Sequence, residues 1–289
     1  MNAASADILT SVAPPVIHAP TPRPMKPIAS LLAKASAAAL AIGLLPACSL
    51  LGNFNHYQVS DDATLGAEAY PELLAGERII KGGADQRMVD RLTQRLVAAA
   101  KELDPEVANQ FDWEVRLVEQ DEVVNAWCLP GGKMAVFTGI LPIAGDETGL
   151  AVVMSHEIAH ATLRHGTERM TRQDLLTQLI EAGAEAYSED AETKEQTEAL
   201  ASDAAHLLVS LPFGRDAEIE ADTRGLMYMA RAGYDPRAAV GFWERMSSAS
   251  GPAPFELFST HPSDERRIDQ IREALPEAIA VYEQSPGSR

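Results

Sequence analysis

The strongest constraint on this chain is the pentapeptide His156-Glu157-Ile158-Ala159-His160, inside a run to Arg164 that holds no proline and, past Gly149, no glycine. Residues four apart lie on one face of a helix. A helix from about Glu147 to His165, started by Asp146 or Thr148 and stopped by Gly166, would turn both imidazoles toward one metal ion with the Glu157 carboxylate beside them. A zinc peptidase needs that spacing: two neutral histidines hold the metal, and the glutamate takes a proton from the attacking water. The plain alternative is an amphipathic helix that happens to carry two histidines. A third ligand elsewhere in the chain decides between them.

One route to that ligand is a histidine six residues after the second, with glycine between. Here Gly166 occupies the histidine position and Leu163 the glycine position, so that class is excluded. His165 follows His160 by five residues, about 500° around a straight helix, and is expected to point away from the metal as a capping residue near the negative helix end. The other route is an acidic residue on a second helix. Asp216-Ala217-Glu218-Ile219-Glu220-Ala221-Asp222 places Glu218 and Asp222 four apart on one face. One could bind the metal while the other accepts a hydrogen bond from a ligating imidazole, which fixes its tautomer. An acidic solvated face is the bland reading of this stretch taken alone.

Among 289 residues with a net charge of −18, neither nucleic acid nor electrostatic docking on anionic lipid is expected as a partner. Residues 1–24 read as a disordered lead or an extension preceding a start at Met25. Lys26, Lys34 and the apolar run 35–45 ending Leu45-Pro46-Ala47-Cys48 read as a lipoprotein-type signal peptide over 25–47. Cleavage there would leave a lipid on Cys48, anchoring the chain to a membrane on the periplasmic side. Pro46 is unusual for such a site, and Ser49 is compatible with sorting to the outer membrane. The run is too short to span a bilayer. With Cys48 lipidated, Cys128 would be the one thiol left and no internal disulfide could form.

Residues 48–85 are turn-rich and read as a tether with at most a short helix; 86–283 would form the folded domain and 284–289 a tail. A helix is expected over 86–103, a strand over Phe111–Leu117, a second strand over Lys133–Thr138 after the Pro130-Gly131-Gly132 turn, and a helix over 167–186. The acidic piece 185–198 reads as a solvated connection or the start of a helix reaching Leu211. The second strand, with Asn125, Gly131, Gly132, Lys133, Met134, Ala135 and Val136, is a candidate rail for an extended peptide; an ordinary hairpin explains the same spacing.

Four pieces together carry a family resemblance: Asn125-Ala126 with Pro130-Gly131-Gly132, His156-Glu157-x-x-His160, Glu218-x-x-Ala221-Asp222 and Thr260-His261-Pro262. In these the chain resembles the gluzincin metallopeptidases of the HtpX and CAAX-prenyl-protease family, in particular its bacterial periplasmic and mitochondrial Oma-like branch. The resemblance implies an α+β, mainly helical domain with a small antiparallel sheet and one Zn2+ per chain. It makes His156, His160 and Glu218 the ligands, Glu157 the general base and Asp222 the hydrogen-bond partner behind a ligand. It also implies unfolded or misassembled envelope proteins as substrates. The multiple membrane spans of some members and the tetratricopeptide repeats of others have no counterpart here. Nothing in the sequence sets an oligomeric state.

The resemblance further favours a site role for His261 and for Arg267, six residues on. His261 could bind the zinc in a resting state, or donate to the oxyanion as it forms. The rival from another class is a non-catalytic lipoprotein assembly factor or chaperone with a structural zinc, in which His261 would be the fourth ligand. Glu157 has no purpose in such a site.

Overall fold

The computed structural model describes residues 55–187, 214–249, 257, 261 and 265–286. The signal segment, Cys48 and, of the acidic piece 185–198 and its expected extension to Leu211, everything past residue 187 lie outside the described residues.

The chain runs through helix α1 (Val59–Leu73), strand β1 (Ile79–Ile80), α2 (Gly83–Leu103), the short α3 (Pro105–Ala108), β2 (Glu114–Val118), β3 (Ala126–Cys128), β4 (Lys133–Phe137) and the short α4 (Leu141–Ala144). There follow α5 (Glu147–Thr162), α6 (His165–Tyr187), α7 (Arg215–Arg231), α8 (Ala238–Ala249) and α9 (Glu265–Glu283). The expected mainly helical α+β class holds. The sheet is mixed rather than antiparallel, in the order β1-β2-β4-β3. Its central pair β2–β4 is parallel, while β1 and β3 pair antiparallel at the two edges. The parallel pair arises because β3 is laid down outside the place that β4 then takes beside β2.

Every residue of α5 from Gly149 to Thr162 is buried, as befits a helix apolar nearly all round. Asp146 caps it, its side chain accepting the Gly149 N–H at 2.8 Å. Helix α7 crosses α5 closely because Gly225 carries no side chain: a Cβ there would lie 3.0 Å from the His156 nitrogen and 3.1 Å from its Cα. That approach brings the acidic turn of α7 against the histidines of α5. The α9 helix packs on α7, and α2 closes the other side of α5.

The tether expected over 48–85 is corrected for its described part. Residues 59–73 form α1, which buries Asp62, Gly66 and Tyr70 and lies on the Pro130–Gly132 turn. Gly131 and Gly132 adopt φ of +76° and +88° there, a region that favours glycine. Their missing side chains leave room for Ala63 and for the Trp113 ring. Helix period was hard to see in α1 because it is only partly amphipathic and holds its own Pro71.

The stop of α5 also differs from expectation. Gly166 lies inside α6, and the break comes at Arg164, whose φ is +63°. A non-glycine residue in this region costs on the order of 1 kcal/mol or more. The cost is offset by Asp62, fully buried, which accepts Arg164 Nε at 2.7 Å and one terminal nitrogen at 2.9 Å, while that same nitrogen donates to the Tyr57 carbonyl at 2.8 Å.

Candidate metal centre

The α5 backbone sets His156 and His160 one turn apart, and their Nε2 atoms meet at 3.0 Å. From α7, Glu218 brings Oε2 to 3.5 Å from His156 Nε2 and Oε1 to 3.4 Å from His160 Nε2. His261, which precedes α9 in the chain, places Nδ1 3.1 Å from Glu218 Oε1 and 3.3 Å from His156 Nε2. All four residues are buried, and one donor atom from each lies within 4.8 Å of the others. Three imidazoles and a carboxylate crowded this way are the donor types that zinc takes.

The local electrostatics favour a cation. Burial works to lower the His156 pKa, but the Asp222 and Glu218 carboxylates outweigh it and hold it up at about 9. Burial works to raise Glu218, and hydrogen bonds from His156, His160 and His261 pull it far below the usual carboxylate range. His160 is pushed well below the ordinary histidine value, first by burial and then by His156.

Behind the donors, Asp222 Oδ1 lies 2.9 Å from His156 Nδ1. Arg267 clamps Asp222 and reaches Glu218 Oε2 at 2.9 Å with its third nitrogen. The guanidinium also sits 4.3 Å over the Trp243 ring, which meets the His156 ring edge-on. Arg267 therefore holds the two carboxylates of α7 at their separate tasks from a position sequence spacing alone left open.

Glu157 points its carboxylate to the rim of this group. It is buried, its Oε1 makes no hydrogen bond, and that atom lies 3.4 Å from His261 Nε2. Burial raises its pKa above the usual carboxylate range, with His261 and His156 pulling it back. A carboxylate raised in this way holds a proton more readily than an ordinary one, as a general base must.

Two expectations change. His165 is no cap turned away from the metal group. It is buried, with Nδ1 2.9 Å from His160 Nδ1 and Nε2 3.2 Å from Glu220 Oε2. The straight-helix angle failed because the chain turns at Arg164. The substrate rail is also misplaced: Lys133, Met134, Ala135 and Val136 lie in β4, whose two edges are taken by β2 and β3. The Lys133 ammonium is spent on Asp112 and Glu114 at 2.7 and 3.2 Å, Gly131 and Gly132 serve the packing of α1 and Trp113, and Asn125 pairs its carbonyl with Phe137. Among the described strands, β3 is the edge beside α5. Its residues Ala126 and Cys128 fall between the bonded pairs to β4, such as Leu129 N–H to Lys133 and Phe137 N–H to Asn125. Their backbone groups therefore face outward.

The carboxylate that takes no place among the donors yet lies against them is what separates this centre from a zinc cage built for stability. It is the arrangement of a metallopeptidase whose third ligand is a glutamate. Within that class the chain belongs to peptidase family M48, whose sequence pattern matches residues 84–275. It is 34% identical over 241 residues to the mitochondrial metalloendopeptidase OMA1 of Schizosaccharomyces pombe, across 80% of this chain and 66% of that protein. The human mitochondrial metalloendopeptidase OMA1 is 29% identical over 75% of this chain and 42% of its own length. The beta-barrel assembly-enhancing protease of Yersinia pestis is 27% identical over 82% of this chain and 49% of its own length. The chain thus spans less than two thirds of the length of these curated relatives.

Proposed function

We propose that this chain is a zinc-dependent endopeptidase that cuts extended segments of unfolded or misassembled proteins in the bacterial cell envelope. The observation that carries the peptidase reading is Glu157, a buried carboxylate held against a four-donor group without belonging to it. Zinc held by His156, His160 and Glu218 would supply a Lewis acid for the scissile carbonyl and lower the pKa of the attacking water toward neutrality. Glu157 accepts that water's proton and delivers it to the leaving amine. Asp222 keeps His156 in the tautomer that presents Nε2, and Arg267 keeps Asp222 charged. His261 would hold the metal beside these three at rest and would have to give way to substrate.

An extended peptide adds along β3, paired with the outward backbone groups of Ala126 and Cys128. Recognition through main chain favours segments that are not already folded. The envelope setting is supported by the leader ending in Cys48 and by the likeness to a relative named for barrel assembly. Other relatives are mitochondrial; the signal-like leader tips the reading toward the envelope, with lipid on Cys48 as the anchor and the outer membrane as the site. Among the described residues no helix is long and apolar enough to cross a membrane.

The four-donor group also favours a second reading, a closed structural zinc in a non-catalytic assembly factor. Digestion of β-casein by the full chain, with Glu157→Gln as control and zinc content measured on both, separates the two. Zinc-dependent cleavage lost in a variant that still holds zinc supports the peptidase. Inactivity of the wild type and of His261→Ala alike would leave the structural reading standing. Labelled palmitate incorporation, abolished by Cys48→Ala, tests the anchor.

A further inference from the structure

The two imidazoles on α5 are backed differently. His156 meets a carboxylate directly, Nδ1 to Asp222 Oδ1 at 2.9 Å. His160 Nδ1 meets another ring, His165 Nδ1 at 2.9 Å, and His165 Nε2 meets the exposed Glu220 at 3.2 Å. Between two ring nitrogens one must donate and the other accept. His160 turns Nε2 toward Glu218 and His156, so as a metal ligand it carries its proton on Nδ1 and donates to His165 Nδ1. His165 then carries its proton on Nε2 and donates to Glu220. With one proton on each ring, every nitrogen of the pair has its use.

We infer that His165 is a positioning residue of the metal centre: backed by Glu220, it fixes the orientation and tautomer of His160 as Asp222 does for His156. The left-handed turn at Arg164 is what swings His165 inward. Asp62 of α1 holds that turn, so the amino-terminal helix takes part in setting a ligand it does not touch.

The inference rests on zinc being the occupant of the donor group, and zinc uptake by the wild-type chain tests that reading by itself. The test proper measures Zn2+ affinity of the full chain by competition with a chromogenic chelator, alongside thermal melts in excess chelator. His165→Leu fills the same space without an acceptor and should weaken zinc about 10- to 100-fold, the usual cost of losing such a partner. His165→Asn returns an acceptor near the Nδ1 position and should recover most of that loss. Glu220→Ala should weaken zinc several-fold in the wild type and add nothing in the His165→Leu background. A wild-type chain that takes no zinc defeats the metal reading. Wild-type zinc affinity in His165→Leu, equal losses in the Leu and Asn variants, or additive losses with Glu220→Ala each overturn the positioning role. Should His165→Leu fail to fold, Glu220→Ala decides at an exposed position: unchanged zinc affinity there overturns the inference.

Discussion

Arg267 grips Asp222 through two parallel hydrogen bonds, Nε to Oδ2 at 2.7 Å and a terminal nitrogen to Oδ1 at 2.8 Å, with both side chains buried. Replacing Arg267 by Lys keeps the charge and loses the fork. The expected result is lower stability by about 1.5–3 kcal/mol, the range for losing a hydrogen bond to a charged group, together with weaker zinc retention because Glu218 and Asp222 lose their common brace. Urea unfolding with and without chelator reads both. A Lys variant indistinguishable from wild type would make the guanidinium incidental.

His261 carries the clearest directional prediction. With His261 Nδ1 3.1 Å from Glu218 Oε1, His261→Ala opens the fourth position, and casein cleavage should rise severalfold while the zinc content stays at one per chain. A fall in kcat with unchanged zinc would move His261 to the oxyanion instead.

Gly225 tests the helix crossing. Adding a methyl group sets it against His156 backbone atoms at 3.0 and 3.1 Å, and backbone cannot yield as a side-chain tip can. Gly225→Ala should cost about 1–3 kcal/mol, as overpacking usually does, and should weaken zinc binding by separating Glu218 from the histidines. Retained zinc affinity would mean that the two helices slide without consequence for the centre.

The first turn of α5 predicts a pH dependence. Burial works to raise the Glu147 pKa, but Tyr234 and Arg91 outweigh it and hold it below the usual carboxylate range; the bonds are 2.6 and 2.5 Å. A depressed carboxylate contributes stability that is fully present above its unfolded pKa, about 4.3, and is lost as pH falls through the folded value. Wild type should therefore exceed Glu147→Gln in stability at pH 7, by a gap that closes below about pH 4. Denaturant midpoints from pH 7 to pH 3 would show it; a gap constant with pH would sink the assignment.

How much of this was legible in the chain depended on distance along it. His156, Glu157 and His160 lie within one helical turn, so spacing alone aligned them. Glu218 and Asp222 could be paired with each other by the same rule, and with the histidines through the order of motifs. His165 was misread because its direction depends on the turn at Arg164, and that turn is stabilised by Asp62, 102 residues earlier. The rail was misread for a similar reason: strand composition marked Lys133–Val136 as β, but which strand lies at an edge is a property of the whole sheet. Gly225 and Trp243 carried no local signal, since a close helix approach and a ring beneath a guanidinium exist only once the helices have met.

The donors arrive from three places: one helix lends two rings, a second helix a carboxylate, and His261, farther along the chain than both, the last ring. Zinc capture therefore depends on all three parts having met. Heat should release the metal at the same midpoint at which the helices come apart.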